Sequence, residues 1–231
     1  MPAASEVAAW LDVAADEKAT SVVELAPVGT ETVVDIGCGS GSVLAALDRR
    51  GFAEKYWACE PSRELADQIP EIPRLQSVEV SSFEAAFGAR QFDLAILSHV
   101  VEHVRAPATL IAQALDRAKH VIVEVPIEAT FLTRLRNHGK DPSDAHPSGH
   151  VHFFAESDAR KLIRVAGGTV LAERSYFPFS PYRQLAERPS QRLLLVVASH
   201  FEGLARLHYE HFALLATART FPNWQHHYPK P

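Results

Sequence analysis

Cysteine and methionine are scarce in this chain: its 231 residues hold two cysteines, Cys38 and Cys59, and one methionine. Each cysteine sits in an apolar, strand-like stretch. That excludes a disulfide framework and fits a reducing compartment. No stretch approaches the ~18 apolar residues of a membrane-spanning helix, so no membrane partner is expected. No long basic run exists, and the net charge is −5 from 23 basic and 28 acidic residues. The electrostatic footprint of duplex nucleic-acid binding is therefore missing, and nucleic acid is not an expected partner. Glu6 and Asp12 stand where a signal peptide would carry basic charge, so the expected location is cytoplasmic. There is no internal repeat and no low-complexity segment.

Apolar residues make up 47% and charged residues 22%, enough for one sizeable core and too much for disorder except at the ends. A single domain is expected over 1–231. Residues 5–26 read as a helical lead-in within 1–28. Strands follow at 32–36, 55–60, 77–80, 92–97, 120–125, 169–175 and 193–199. Helices fall at 42–50, 62–69, 107–118 and 156–166, the last closed by Gly167-Gly168. This alternation predicts an α/β fold: a Rossmann-like, doubly wound, mostly parallel seven-stranded sheet with helices on both faces. Residues 200–219 read as an amphipathic helix after the last strand, with a loose tail to 231. Residues 127–154 carry glycines, prolines and four histidines in a connection long enough to suggest a lid over an acceptor pocket.

The strongest local signal is Val33-Val34-Asp35-Ile36-Gly37-Cys38-Gly39-Ser40-Gly41-Ser42, a strand that runs through glycines into a helix. Glycines allow a tight turn and let a ligand lie on bare main chain, while the helix start offers free N–H groups. Glu60 ends the next strand about 20 residues on, where an acid can receive both hydroxyls of a ribose. A dinucleotide loop wants glycine at position 42, and this chain has Ser42. Asp35 would repel a pyrophosphate but suits a ligand with an ammonium and a sulfonium group. Both points favour S-adenosylmethionine over NAD.

These residues resemble the first motif of the class I S-adenosylmethionine-dependent methyltransferases, and Glu60 matches their ribose-binding acid. Residues 92–104, Phe92 to Val104, resemble the fourth-strand motif of the branch that includes ubiquinone-pathway O-methyltransferases. Gly149-His150-Val151-His152-Phe153-Phe154 is similar to a segment of the same branch. The resemblance implies that Asp35, Gly37, Cys38, Gly39, Glu60, Pro61, Ser82, Phe83 and Ser98 surround S-adenosylmethionine. The chain departs from the pattern in two places. Ser81-Ser82-Phe83 stands where an acid often contacts adenine, with Ser82 on the amine and Phe83 stacking. Arg117-Ala118-Lys119-His120 replaces a glycine-rich turn. The resemblance also implies an antiparallel last strand.

Methyl transfer from a sulfonium is an in-line displacement in which the protein aligns the nucleophile and, where needed, removes its proton. Histidine is the usual base near neutral pH. His99, His103 and His150 are the catalytic candidates, with His146 and His152 nearby in sequence. The spacing His99-x-x-Glu102-His103 also puts three potential ligands on one side of a helical turn. It resembles the metal site of small-RNA 2′-O-methyltransferases, which have glutamate where His99 stands. These side chains admit a structural role, a base or a metal site, and no metal is expected.

The expected function is methyl transfer to an oxygen or nitrogen of a small molecule. Phe131, Phe177, Phe179 and Tyr182 suit an aromatic or apolar acceptor, with 127–154 and 176–190 shaping its pocket. A homodimer is compatible with the sequence. The alternatives are a non-catalytic S-adenosylmethionine-binding module and an NAD(P)-linked oxidoreductase.

Overall fold

The computed structural model describes residues 4–127, 150–176 and 211–219. The described elements are α1 (Ala4–Leu25), β1 (Thr32–Ile36), α2 (Ser42–Arg49), β2 (Lys55–Cys59), α3 (Arg63–Ala66) and β3 (Leu75–Glu79). They continue with β4 (Phe92–Ser98), α4 (Pro107–Arg117), β5 (Ala118–Pro126), α5 (Glu156–Val165), β6 (Gly168–Tyr176) and β7 (His211–Ala218). The sheet order is β3-β2-β1-β4-β5-β7-β6. All pairs are parallel except those of β7, which runs antiparallel to β5 and β6. This is the Rossmann-like mixed sheet that the sequence predicts.

The strands alternate between two covered faces. On one, Val34, Ile36, Leu97, Val123 and Phe212 pack with Ile111 of α4 and Ile163 of α5. On the other, Val33, Ile96, Ile122 and Leu215 pack with Val22 of α1 and Leu44 and Leu47 of α2. Burial on both faces explains why these strands read as nearly continuous apolar runs. Fully burying each such side chain contributes about 1.5–3 kcal/mol. The same alternation puts Asp35 and Glu124 on the α1–α2 face among apolar neighbours, and both are nearly inaccessible. α1 is tied to that face by the Arg174–Glu24 ion pair and by Arg49 on Asp16.

One expected element needs correction. The helix expected over 200–219 is instead a strand at 211–218, and that strand is the antiparallel one. His211-Phe-Ala-Leu-Leu-Ala-Thr-Ala is rich in helix formers, but it sits between β5 and β6 with five consecutive buried residues. A short apolar run does not reveal by periodicity whether it is a buried strand or a helix, and the open edges of β5 and β6 decide the matter. The strand expected at 193–199 lies outside the described residues, as does most of the 127–154 segment. The two ends of that segment meet in a bridge between Ile127 and Phe154, so the connection leaves and rejoins the body at one place.

Strand order reverses between β1 and β4, where the chain leaves toward opposite edges of the sheet. In such folds ligands bind in the crevice outside the carboxyl ends of the strands at this switch. The glycine loop after β1 and the histidine-bearing turn after β4 both lie there.

Candidate functional site

The glycine loop is held by main-chain bonds to the end of β2. Gly37 and Cys38 N–H both donate to the Cys59 carbonyl, at 2.8 and 3.2 Å, and Gly41 N–H donates to the Cys38 carbonyl at 2.9 Å. Gly37, Gly39 and Gly41 all have positive φ, at 70°, 56° and 73°. An L side chain there costs about 1–2 kcal/mol in backbone terms alone. At Gly37 a Cβ would also come within 2.9 Å of Val100 Cγ2, so the loop and the turn after β4 touch. At Gly39 a Cβ would meet nothing within 4 Å. Bare main chain therefore faces open space there, which is what a close-lying nucleoside needs.

Glu60 is buried at the rim of this loop. Its Oε2 accepts from Gly39 N–H and its Oε1 from Ser62 N–H, both at 2.9 Å. A carboxylate has about four lone-pair positions, so two remain for ribose hydroxyls. Its position is thus fixed before any ligand arrives. Pro61 follows on the surface. Asp35 is 3% exposed, and burial lifts its carboxyl to about 7. Lys18 of α1 pulls that value down and Glu60 pushes it up. Burial also lifts both thiols, Cys59 to about 12 and Cys38 further, so neither is a nucleophile.

These residues fit S-adenosylmethionine: a glycine floor, an acid for the ribose, and a buried acid for the positively charged amino-acid end. Ser82 is exposed in the loop after β3. Phe83 does not fit the adenine-stacking role. Its ring is 2% exposed, packs in the core and carries the Arg117 guanidinium 4.9 Å from its centroid. Arg117 in turn donates to the carbonyls of Phe83, Glu84 and Ala86, which gives the replaced glycine turn a local structural task.

The histidines separate into two groups. His99 stands at φ 57°, an unusual conformation for a non-glycine residue. Its Nδ1 lies 3.2 Å from Glu102 Oε1 and its Nε2 lies 3.3 Å from Glu124 Oε1. Burial would lower its pKa, but the two carboxylates outweigh that and raise it. An imidazolium with a carboxylate at each nitrogen has no lone pair to take a proton, so the structure speaks against His99 as the general base. Burial likewise favours protonation of Glu124, yet His211 and His99 hold its carboxyl far below the usual range. Glu102 is lowered in the same way, mainly by His99 acting against burial.

Glu124, His211 and Tyr176 complete this group and were missed by sequence reasoning. Tyr176 Oη lies 3.0 Å from Glu124 Oε1 and 3.0 Å from His211 Nδ1. Ser98 Oγ donates to the same Glu124 oxygen at 3.4 Å. The signal available was a glutamate inside the apolar strand His120–Pro126, which a buried strand tolerates only with partners. His211 was hidden by the misassigned helix.

The second group is Glu102, His103 and His150, whose ligand atoms lie within 4.8 Å of one another. His103 is exposed, His150 is half-buried, and their rings meet edge to face at 4.8 Å. The segment that carries His150 docks on the turn after β4: Val151 and His152 N–H both donate to the Glu102 carbonyl. His152 Nε2 lies 3.0 Å from the Val104 carbonyl, which fixes that ring as a structural clamp. A contiguous path thus runs from Gly37 through Val100 and Glu102 to His150. The spacing His99-x-x-Glu102-His103 is divided between the two groups: His99 touches Glu102 through Nδ1 but groups with Glu124 and His211, while Glu102 and His103 group with His150.

Known proteins resemble this chain in sequence profile and in fold. The description "methyltransferase domain" belongs to a family whose profile matches residues 6–173, well over half the chain. A bifunctional methionine biosynthesis protein MetXA/MetW from Rhodopirellula baltica is 26% identical over 62% of this chain. The chain spans only 26% of that relative's length. Among solved structures, a SAM-dependent methyltransferase from Archaeoglobus fulgidus superposes with a TM-score of 0.60 at 17% identity, over 89% of this chain and 93% of that one. A putative Haloferax volcanii methyltransferase, in complex with its Trm112 activator, gives 0.65 at 17% identity, over 92% and 97%. At such identities the superpositions establish the fold, and the profile match establishes the family: the chain belongs to the methyltransferase-domain family.

Proposed function

We propose that this protein transfers the methyl group of S-adenosylmethionine to an oxygen or nitrogen of a small-molecule acceptor. The observation that carries this reading is the open glycine floor at Gly39 beside a Glu60 carboxylate fixed by Gly39 and Ser62 N–H. Asp35, Gly37, Cys38, Gly39, Glu60 and Pro61 hold the cofactor in this account, with Ser82 toward the adenine and Ser98 at the end of β4. The cofactor supplies the reactive methyl group. The protein orients the acceptor and takes its proton. His150, beside His103 on the turn that abuts the glycine loop, is the proposed base.

The small-molecule acceptor rests on the resemblance of residues 92–104 and 149–154 to the ubiquinone-pathway branch. The same reading takes the enzyme as cytoplasmic. Among the described residues no helix is long and apolar enough to cross a membrane. The test is transfer of label from methyl-labelled S-adenosylmethionine to a panel of phenols, amines and carboxylic acids. Labelled product that disappears with Gly37→Val supports the reading. S-adenosylhomocysteine binding without transfer to any acceptor class would favour the non-catalytic module instead.

A further inference from the structure

Four polar atoms from four different positions converge at the carboxyl edge of the sheet. They are His99 Nε2 after β4, Glu124 Oε1 on β5, Tyr176 Oη at the end of β6 and His211 Nδ1 at the start of β7. His99 Nε2 lies 3.3 Å from His211 Nδ1 as well as 3.3 Å from Glu124 Oε1, and the His211–Glu124 separation is 3.5 Å. A ring nitrogen carries at most one hydrogen, so His99 Nε2 serves one of its two neighbours and not both. Tyr176 Oη can donate to Glu124 while it accepts from His211 Nδ1–H. These atoms can be joined by hydrogen bonds, but two imidazole nitrogens and a carboxylate oxygen within 3.5 Å of one another are also a metal-ligand set.

We propose that His99 Nε2, Glu124 Oε1 and His211 Nδ1 form a divalent transition-metal site, with zinc the best-fitting ion. The edge lengths separate zinc from magnesium, and the two imidazole donors set aside calcium, which takes oxygen ligands. Tetrahedral zinc with bonds of about 2.0–2.1 Å separates its ligands by about 3.3–3.4 Å. An octahedral ion at about 2.0–2.1 Å, such as magnesium, would separate adjacent ligands by only about 2.8–3.0 Å. The observed 3.3, 3.3 and 3.5 Å match the tetrahedral case. Two imidazoles and one carboxylate also form the three-ligand donor set of zinc sites that keep a fourth position open.

The surroundings supply what such a site needs. A metal-bound histidine commonly gives its other ring N–H to a carboxylate, which fixes its orientation. His99 Nδ1 lies 3.2 Å from Glu102 Oε1. Glu102 is 0% exposed, and no aligned hydrogen bond reaches either of its carboxylate oxygens among the described residues. At 3.2 Å from His99 Nδ1, this buried acid is placed to orient the ring. The Tyr176 hydroxyl donates to the carboxylate ligand Glu124 at 3.0 Å. The left-handed backbone at His99 turns the ring into this cluster, and backbone strain of that kind concentrates at functional sites. The proposed ion departs from the sequence expectation of no metal. It is distinct from the Glu102, His103 and His150 group.

The experiment uses the full chain, stripped with chelator and dialysed. Titration with zinc should show one equivalent bound at micromolar affinity or tighter. Cobalt(II) in its place should give the intense visible absorption of a tetrahedral ion. Glu124→Gln and His211→Ala should each weaken zinc at least 100-fold, while His103→Ala leaves it unchanged. The cobalt spectrum of the unaltered protein decides the matter even where a variant unfolds. The proposal is overturned by no stoichiometric binding, by weak octahedral absorption, or by affinity that survives both cluster variants. Loss of zinc on His103→Ala would assign the ion to the other group and likewise overturn it. S-adenosylhomocysteine titrated into the same stripped protein reports on the cofactor site separately, so failure here leaves the methyltransferase reading intact.

Discussion

His150→Ala is expected to lower methyl-transfer turnover by about 10²-fold or more, with cofactor affinity near that of the unaltered protein. Three observations support this. The segment from His150 is anchored on the turn after β4 by two N–H bonds to the Glu102 carbonyl. That turn contacts the glycine loop through Val100. The His150 ring stands against His103, while it is His152 that lies near Phe154, with centroids 6.2 Å apart. A packing role beneath the phenylalanines would therefore belong to His152. Single-turnover kinetics separate the outcomes. A loss confined to the chemical step fits a base or positioning role. Reduced thermal stability with normal turnover per folded molecule contradicts it.

S-adenosylhomocysteine affinity should fall steeply as pH drops below about 7, by about tenfold per unit until the complex itself takes up the proton. The cause is Asp35, lifted to about 7 by burial. The ligand's ammonium group favours the carboxylate, so Asp35 has a lower pKa in the complex than in the free protein. Below the free value, binding must first expel a proton, and affinity is lost. Between pH 8 and pH 5 the expected change is about a hundredfold. Asp35→Asn should flatten the profile. The stability of the free protein runs the other way. The unfolded Asp35 loses its proton near 3.8, while the folded one keeps it until about 7. Stability from this group is therefore present below about 3.8 and lost as pH rises to about 7. Calorimetry across this range checks both signs, and a flat affinity profile for the unaltered chain would remove Asp35 from the cofactor site.

Much of this was legible in the sequence because it is local. The Val33–Ser42 run contains both the apolar strand and the glycines that turn it, and the contacts of Gly37, Gly39 and Gly41 follow from a few neighbouring residues. Glu60 was legible because a parallel β-α-β unit fixes its distance from the loop. The metal-type cluster was not, because its members come from positions 99, 124, 176 and 211, and only the order of strands in the sheet brings them together. β7 was misread for a related reason. Its alanines and leucines favour a helix locally, and only insertion between β5 and β6 makes it a strand. Phe83 illustrates the reverse error: a motif position assigned it a ligand contact, but its burial beneath Arg117 is a packing outcome that no spacing reveals.

The central claim is tested most directly by calorimetric titration of the purified chain with S-adenosylhomocysteine, alongside NADH. The account predicts saturable one-to-one binding of S-adenosylhomocysteine and none of NADH. Glu60→Gln should weaken it by about 1–2 kcal/mol, since the ribose hydroxyls lose a charged acceptor. Tight NADH binding with no S-adenosylhomocysteine binding would contradict the account.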